Sequence, residues 1–181
     1  MSSPTVATCP VAGVEIVTLE PFPDERGVFV EFFREEWNVG PAPLQWNVVH
    51  SAAGVLRGVH VHGNHHDFLT VASGTLVLGL HDLRPDSPTH GVSCFVTLTG
   101  DAPRAAAIPP GVCHGFYYPE PTVHVYGVSH YWNPADELGC RWDAPELGLD
   151  WPTTSPTLSA KDRDAMSFSD LRAAYLGSGG S

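Results

Sequence analysis

The stretch GVLRGVHVHGNHHDFLTVASG, residues 54–74, decides between architectures. Val55–Val61 and Phe68–Ala72 are short runs rich in Val and Leu, too brief for stable helices, and HGNH and ASG punctuate them as turns do. The stretch therefore reads as two strands joined by a tight polar turn. Into seven residues it also places His60, His62, His65 and His66, followed at once by Asp67. Side chains at i and i+2 of a strand point to the same side, so His60 and His62 share a face. Such a cluster either holds a metal ion or moves a proton, and the two predict different chemistry.

The same pattern extends in both directions. Val14–Leu19, Val28–Phe33, Gln45–Ser51, Thr75–Asp82, Gly91–Leu98, Arg104–Ile108 and Val123–Tyr131 are further strand candidates, separated by PDERG, VGPAP, RPDSPTHG, TGDAP, PPG and PEP. Even spacing with this much Pro and Gly predicts an all-β sandwich or barrel rather than a parallel α/β fold. Helical signals are few: one turn at Arg34–Asn38, and Ser167–Leu176, whose Ser-x-x-Asp start resembles an N-cap. The length of 181 residues suggests one domain, residues 1–177, with a flexible GSGGS-type tail at 178–181.

Composition removes several functions. A net charge of −11 argues against nucleic acid or an anionic membrane surface as a partner. No apolar run approaches the roughly 20 residues that span a bilayer, and the start MSSPTVATCPVAG lacks the pattern of a secretory signal, so the expected location is the cytoplasm. Cys9, Cys94, Cys113 and Cys140 form no CxxC pair and are read as free thiols. Eight of the nine basic residues are Arg, the better fork for phosphate oxygens, which leaves a small anionic ligand open.

As a metal site, the stretch is similar to the first motif of the metal cupins, with Gly54, His60, His62, Asp67 and Gly74 in register, and Pro109, Gly111 and His114 resemble the second. Three imidazoles and a carboxylate suit Fe, Mn, Ni or Zn. Against this, His65 and His66 read as loop residues that face solvent or bond to backbone, and His62 stands between the two readings.

Eight pieces in order carry a more specific resemblance: DERGVFVEFF, QWNVVHS, GVLRGVH, DLRPDSPTHG, IPPGVCHGF, Tyr126 followed by SHYWNP, RWDAPELGLDWP and LSAKD. Together they resemble the dTDP-4-dehydrorhamnose 3,5-epimerase family. The resemblance implies a cupin-type jelly-roll barrel of antiparallel strands with short peripheral helices near the C-terminus. It implies no metal or other cofactor, a dTDP-linked 4-keto sugar as substrate, and a homodimer. His60 matches the general base, Asp162 the carboxylate that pairs with it, and Tyr126 the acid on the opposite face of the sugar, which suits inversion of C3, and of C5 in some members, through an enolate. Arg26, Gln45 and Arg57 match the diphosphate contacts, Phe29, Glu31 and Asn47 the base and ribose contacts, and His114 a position near the sugar.

The sequence departs from this family between His60 and Thr70. A lysine expected at Phe68 and a carboxylate expected at Leu78 are both apolar, so the cation that steadies the enolate is missing. His62 or His66, if protonated, is the expected replacement, and these two with Phe68 are the expected specificity positions. Two alternatives stand beside the epimerase: a metal-dependent dioxygenase or isomerase using His60, His62, Asp67 and His114, and a sugar-nucleotide-binding relative without turnover.

Overall fold

A computed structural model describes residues 4–133 and 137–178. Eleven strands form two antiparallel sheets. The first contains β1 (Thr5–Thr8), β2 (Glu15–Thr18), β5 (Gln45–Ser51), β7 (Asp67–Ser73), β10 (Arg104–Ile108) and β12 (Thr122–Val128), in the order β1-β2-β10-β7-β12-β5. The second contains β6 (Val55–His62), β8 (Thr75–Asp82), β9 (Ser93–Thr99), β11 (Val112–Tyr118) and β13 (Glu137–Gly139), in the order β13-β6-β11-β8-β9. A separate hairpin joins β3 (Pro21–Asp24) to β4 (Gly27–Val30). Helices α1 (Ala160–Arg163) and α2 (Phe168–Gly177) close the chain, and the architecture is the expected jelly roll with peripheral C-terminal helices.

Alternation along the strands builds three layers of packing. Leu69 and Val71 of β7 meet Leu76, Leu78 and Leu80 of β8 in the space between the sheets, with Ala106, Ile108 and Tyr118 around them. Each fully buried leucine there contributes about 2 kcal/mol of transfer free energy. The opposite face of the second sheet presents Leu56, Val59, Val61 and Cys113 to Leu147, Trp151, Leu171 and Tyr175, so the C-terminal segment covers that sheet. The outer face of the first sheet packs Val17, Leu19, Phe68, Ala105 and Ala107 against Val39.

Three strands match their predicted limits: Gln45–Ser51, Thr75–Asp82 and Arg104–Ile108. Val112–Tyr118, Thr5–Thr8, Pro21–Asp24 and Glu137–Gly139 are strands that the sequence reading did not list. The predicted turn at Arg34–Asn38 is a 3-10 turn at Glu35–Trp37, and α2 starts as expected, with the Ser167 side chain accepting from the Asp170 backbone N–H. All four cysteines are free thiols. Of the predicted flexible tail, Ser178 caps α2 and residues 179–181 lie outside the described residues.

Candidate active site

A bulge places the histidine predicted as base. On β11, His114 pairs with His60 and Phe116 with Arg57, so two steps on β11 span three on β6. The extra residue resets the alternation, and Arg57 and His60 both face inward instead of opposing each other. Gly58 makes the bulge possible: its φ is +108°, and a Cβ there would stand 2.9 Å from the His114 carbonyl oxygen. Gly139 on the other flank is equally constrained, since a Cβ would meet His60 Cδ2 at 2.9 Å. His60 thus lies between His114 of β11 and Gly139 of β13, and the glycine flank leaves room for its ring.

Its Nε2 lies 2.8 Å from Asp162 Oδ1 across 102 residues of chain. The other oxygen of Asp162 accepts from Ser159 Oγ at 2.8 Å, and Ser159 in turn accepts from the Asp162 backbone N–H as the N-cap of α1. Burial alone would raise the Asp162 pKa, but the hydrogen bonds from His60, Ser159 and the Gly58 backbone outweigh it and hold the carboxyl below its ordinary value. An ionised carboxylate has no proton to give, so Nε2 of His60 carries the hydrogen, and in the neutral imidazole Nδ1 is the bare nitrogen.

His60 and Asp162 line a cleft of about 390 Å3, shared with Arg57, Phe116, His124 and Tyr126. Burial, then the nearby Asp67 and Glu137, raise the Tyr126 pKa, so the phenol keeps its proton near neutrality. Arg57 is anchored by donating from Nε to Ser51 Oγ at 3.1 Å. On β5, Gln45 and Asn47 fall on the same face as the cleft-lining Val49, and the Asn47 Nδ2 is buried with no hydrogen-bond partner. The single chain does not bring the other nucleotide candidates here. Arg26 sits in the β3–β4 turn, exposed and paired with Asp24, Phe29 is 63% exposed on that hairpin, and Glu31 pairs with Arg34.

Four cleft residues were not foreseen. Glu137 is bridged by Lys161, and burial, which would raise it, is outweighed by hydrogen bonds from Lys161 and Trp132, so its pKa is lowered. Lys161 stood unread inside the quoted LSAKD. His124 is buried under Tyr118 and Tyr126; its Nδ1 meets Tyr118 Oη at 3.2 Å and its Nε2 has no partner. Burial, with Arg57 adding to it, pushes His124 down to about 4. Phe116 completes the wall, and only its place two residues beyond His114 pointed to it.

A second polar group adjoins this cleft. His62, His65, Asp67 and His114 line a cavity of about 70 Å3 that His60, Tyr126 and Glu137 also border. His65 is buried and stacked on His62 with ring centroids 4.0 Å apart, contrary to its reading as a solvent-facing loop residue; the turn folds it back over the end of β6. His66 is half-buried, and its backbone N–H donates to Ser129 Oγ. Burial, then Glu137, pushes Asp67 up to about 8, while burial pushes His114 down to about 4.

Two expectations about the missing cation change. Phe68 does not face the sugar: it packs on the outer face of the first sheet, edge to face with Phe33 at 5.1 Å, and the inward residues of β7 are Asp67 and Leu69. The inner wall thus carries an acid where a lysine was expected one residue on. Nor does His62 or His66 supply positive charge, since burial lowers the pKa of both, helped by His114 and His65 at His62 and by His130 at His66. Leu78 is fully buried in the inter-sheet core, as an apolar replacement there requires.

Comparison with known proteins identifies relatives of the whole chain. A family model for dTDP-4-dehydrorhamnose 3,5-epimerase matches residues 8–170. The chain is 34% identical over 175 residues to a dTDP-4-dehydrorhamnose 3-epimerase of Streptomyces niveus, covering 92% of this chain and 84% of that protein. It is 35% identical over 173 residues to a dTDP-4-dehydrorhamnose 3,5-epimerase of Pseudomonas aeruginosa, covering 86% and 92%. The crystal structure of NovW, a 4-keto-6-deoxy sugar epimerase from the novobiocin biosynthetic gene cluster of Streptomyces spheroides, superposes with a TM-score of 0.88 at 31% identity, covering 97% of this chain and 92% of that one.

Proposed function

Because the chain belongs to the dTDP-4-dehydrorhamnose 3,5-epimerase family, we propose that it epimerises a dTDP-linked 4-keto-6-deoxy sugar at C3, with C5 as the second candidate centre. His60 Nδ1 takes the proton beside the ketone, and Asp162 holds the imidazole and balances the imidazolium that forms. The C–H electron pair becomes the C=C bond of an enolate, and the carbonyl pair moves onto oxygen. Tyr126 returns a proton from the other face of the ring, which inverts the centre. His60 and Tyr126 then recover their protonation from solvent.

The observation that carries this reading is the 2.8 Å contact between His60 and Asp162 on one cleft with a protonated Tyr126. It also weighs against a metal-dependent dioxygenase built on His60, whose Nε2 is committed to Asp162. Arg57 is the cation placed for a diphosphate oxygen, and the unpartnered Asn47 amide for a polar group of the nucleoside. Arg26, Phe29 and Glu31 do not line this cleft, and in this reading a partner subunit brings them to one. Exposed Phe22, Val28 and Phe29 on the β3–β4 hairpin support a homodimer in which that hairpin lies against a partner subunit.

The test is incubation with dTDP-4-keto-6-deoxyglucose in deuterated water, following C3 and C5 by NMR. Deuterium at C3 in wild type, absent in His60→Ala, is the expected result. A folded protein that binds the nucleotide sugar and exchanges neither position would leave a binding relative as the better reading. Light scattering of the purified chain tests the dimer.

A further inference from the structure

We propose that His62, Asp67 and His114 form a binding site for one divalent first-row transition-metal ion at the floor of the cleft. This departs from the expectation that the chain uses no metal. Among the described residues these three are the group whose ligand atoms all lie within 4.8 Å of one another. Each side chain is more than nine-tenths buried. His60 is outside the set.

Three independent features point to a ligand rather than to a self-satisfied polar cluster. His62 Nδ1 is buried with no hydrogen-bond partner, an arrangement that costs stability unless something fills it. His114 Nδ1 donates to the Val112 carbonyl at 3.1 Å, which fixes the ring and leaves Nε2 as the bare nitrogen, 3.9 Å from Asp67 Oδ2. Imidazoles that bind metals are oriented in this way, with the remote N–H on a backbone carbonyl. Asp67 Oδ2 also stands 3.8 Å from His65 Nε2, so it is the centre of the group yet beyond hydrogen-bond reach of either ring.

Donor atoms on a tetrahedral ion with bonds of roughly 2.1 Å lie about 3.4 Å apart, so the 3.9 Å between His114 Nε2 and Asp67 Oδ2 closes by about 0.5 Å and the widest pair, within 4.8 Å, by up to about 1.4 Å. Two nitrogens and one oxygen suit Zn2+, Co2+, Ni2+ or Fe2+. With three protein ligands a position stays open, and the adjoining cavity is bordered by His60 and Tyr126.

The catalytic role rests on the epimerase reading. As His60 removes the proton, the carbonyl π pair becomes enolate oxygen charge, and a divalent ion there neutralises it as a Lewis acid with no change in oxidation state. It supplies positive charge on a wall where Phe68, expected to face the sugar, packs outward.

The experiment uses Co2+ as probe. Chelator-treated full-length protein is titrated with CoCl2 and read by its ligand-field absorption and by elemental analysis, alongside His62→Ala, Asp67→Asn and His60→Ala, each checked by circular dichroism. One equivalent bound by wild type and His60→Ala, and at least tenfold weaker binding in whichever of the other two is folded, supports the site. No stoichiometric binding, or binding indifferent to both substitutions, overturns it. In the deuterium assay, exchange should fall at least tenfold in metal-free protein and return on reloading. Unchanged exchange with a confirmed site overturns the Lewis-acid role alone. Metal binding with no exchange in loaded wild type indicts the epimerase reading and leaves the site standing.

Discussion

His60 and His62 are two residues apart on one strand and share its inner face, yet they stand in opposite electrostatic situations. His60 is partly open, touches an ionised carboxylate at 2.8 Å, and has that carboxylate fixed by a helix cap. His62 is closed off, stacked on another imidazole, and keeps one nitrogen without a partner. A tight pair with solvent access can exchange protons, while a dry group of spaced donors can only hold something. Neighbouring residues of one type are therefore assigned different work by their partners and not by their sequence spacing.

Replacing His60 by Ala is the severest way to break the first half of this comparison. Solvent exchange at C3 should fall about 10³-fold, in the range of general-base removal, and deuterium NMR reads it. Asp162→Asn leaves the imidazole in place but removes the charge that holds its tautomer, and a loss of about 10²-fold is expected. That loss should sit in kcat with little change in KM, which separates positioning from substrate binding.

The bare imidazole can be sharpened at a site away from the proposed ligands. His124 has a folded pKa of about 4 against about 6.5 unfolded. As pH falls below 6.5 the unfolded chain takes up a proton that the folded chain refuses, so stability is lost between pH 6.5 and 4. The loss from pH 7 to 5 is about 2 kcal/mol for this residue. Urea melts at both pH values should show His124→Phe losing less than wild type by that amount; an equal loss would contradict the assignment. The smallest expected effect is at Ser159→Ala, which removes both the cap of α1 and the second hydrogen bond to Asp162. It should cost about 1 kcal/mol in the same melts.

The legible part of this molecule was its alternation. Thr75–Asp82 and Arg104–Ile108 are bounded by turn residues and carry uninterrupted strand patterns, so their limits could be read directly. Val112–Tyr118 escaped because a histidine and Gly115 interrupt it, and Pro21–Asp24 because two prolines do. In the site, His60 was visible locally, whereas its link to Asp162 across 102 residues rested on family resemblance, since no periodicity spans such a gap. The error at Phe68 is a slip of one residue, and on a strand one residue exchanges the inside for the outside. The burial of His65 left no mark at all, because a polar residue in a turn carries no periodic signature.

The cap on α1 also ties the dyad to a segment outside the two sheets. All strands that frame the cleft precede residue 140, but the partner of His60 is delivered by a short helix near the end of the chain. Building the barrel and completing the dyad are therefore separable: loosening α1 would leave both sheets paired while releasing His60 from its carboxylate.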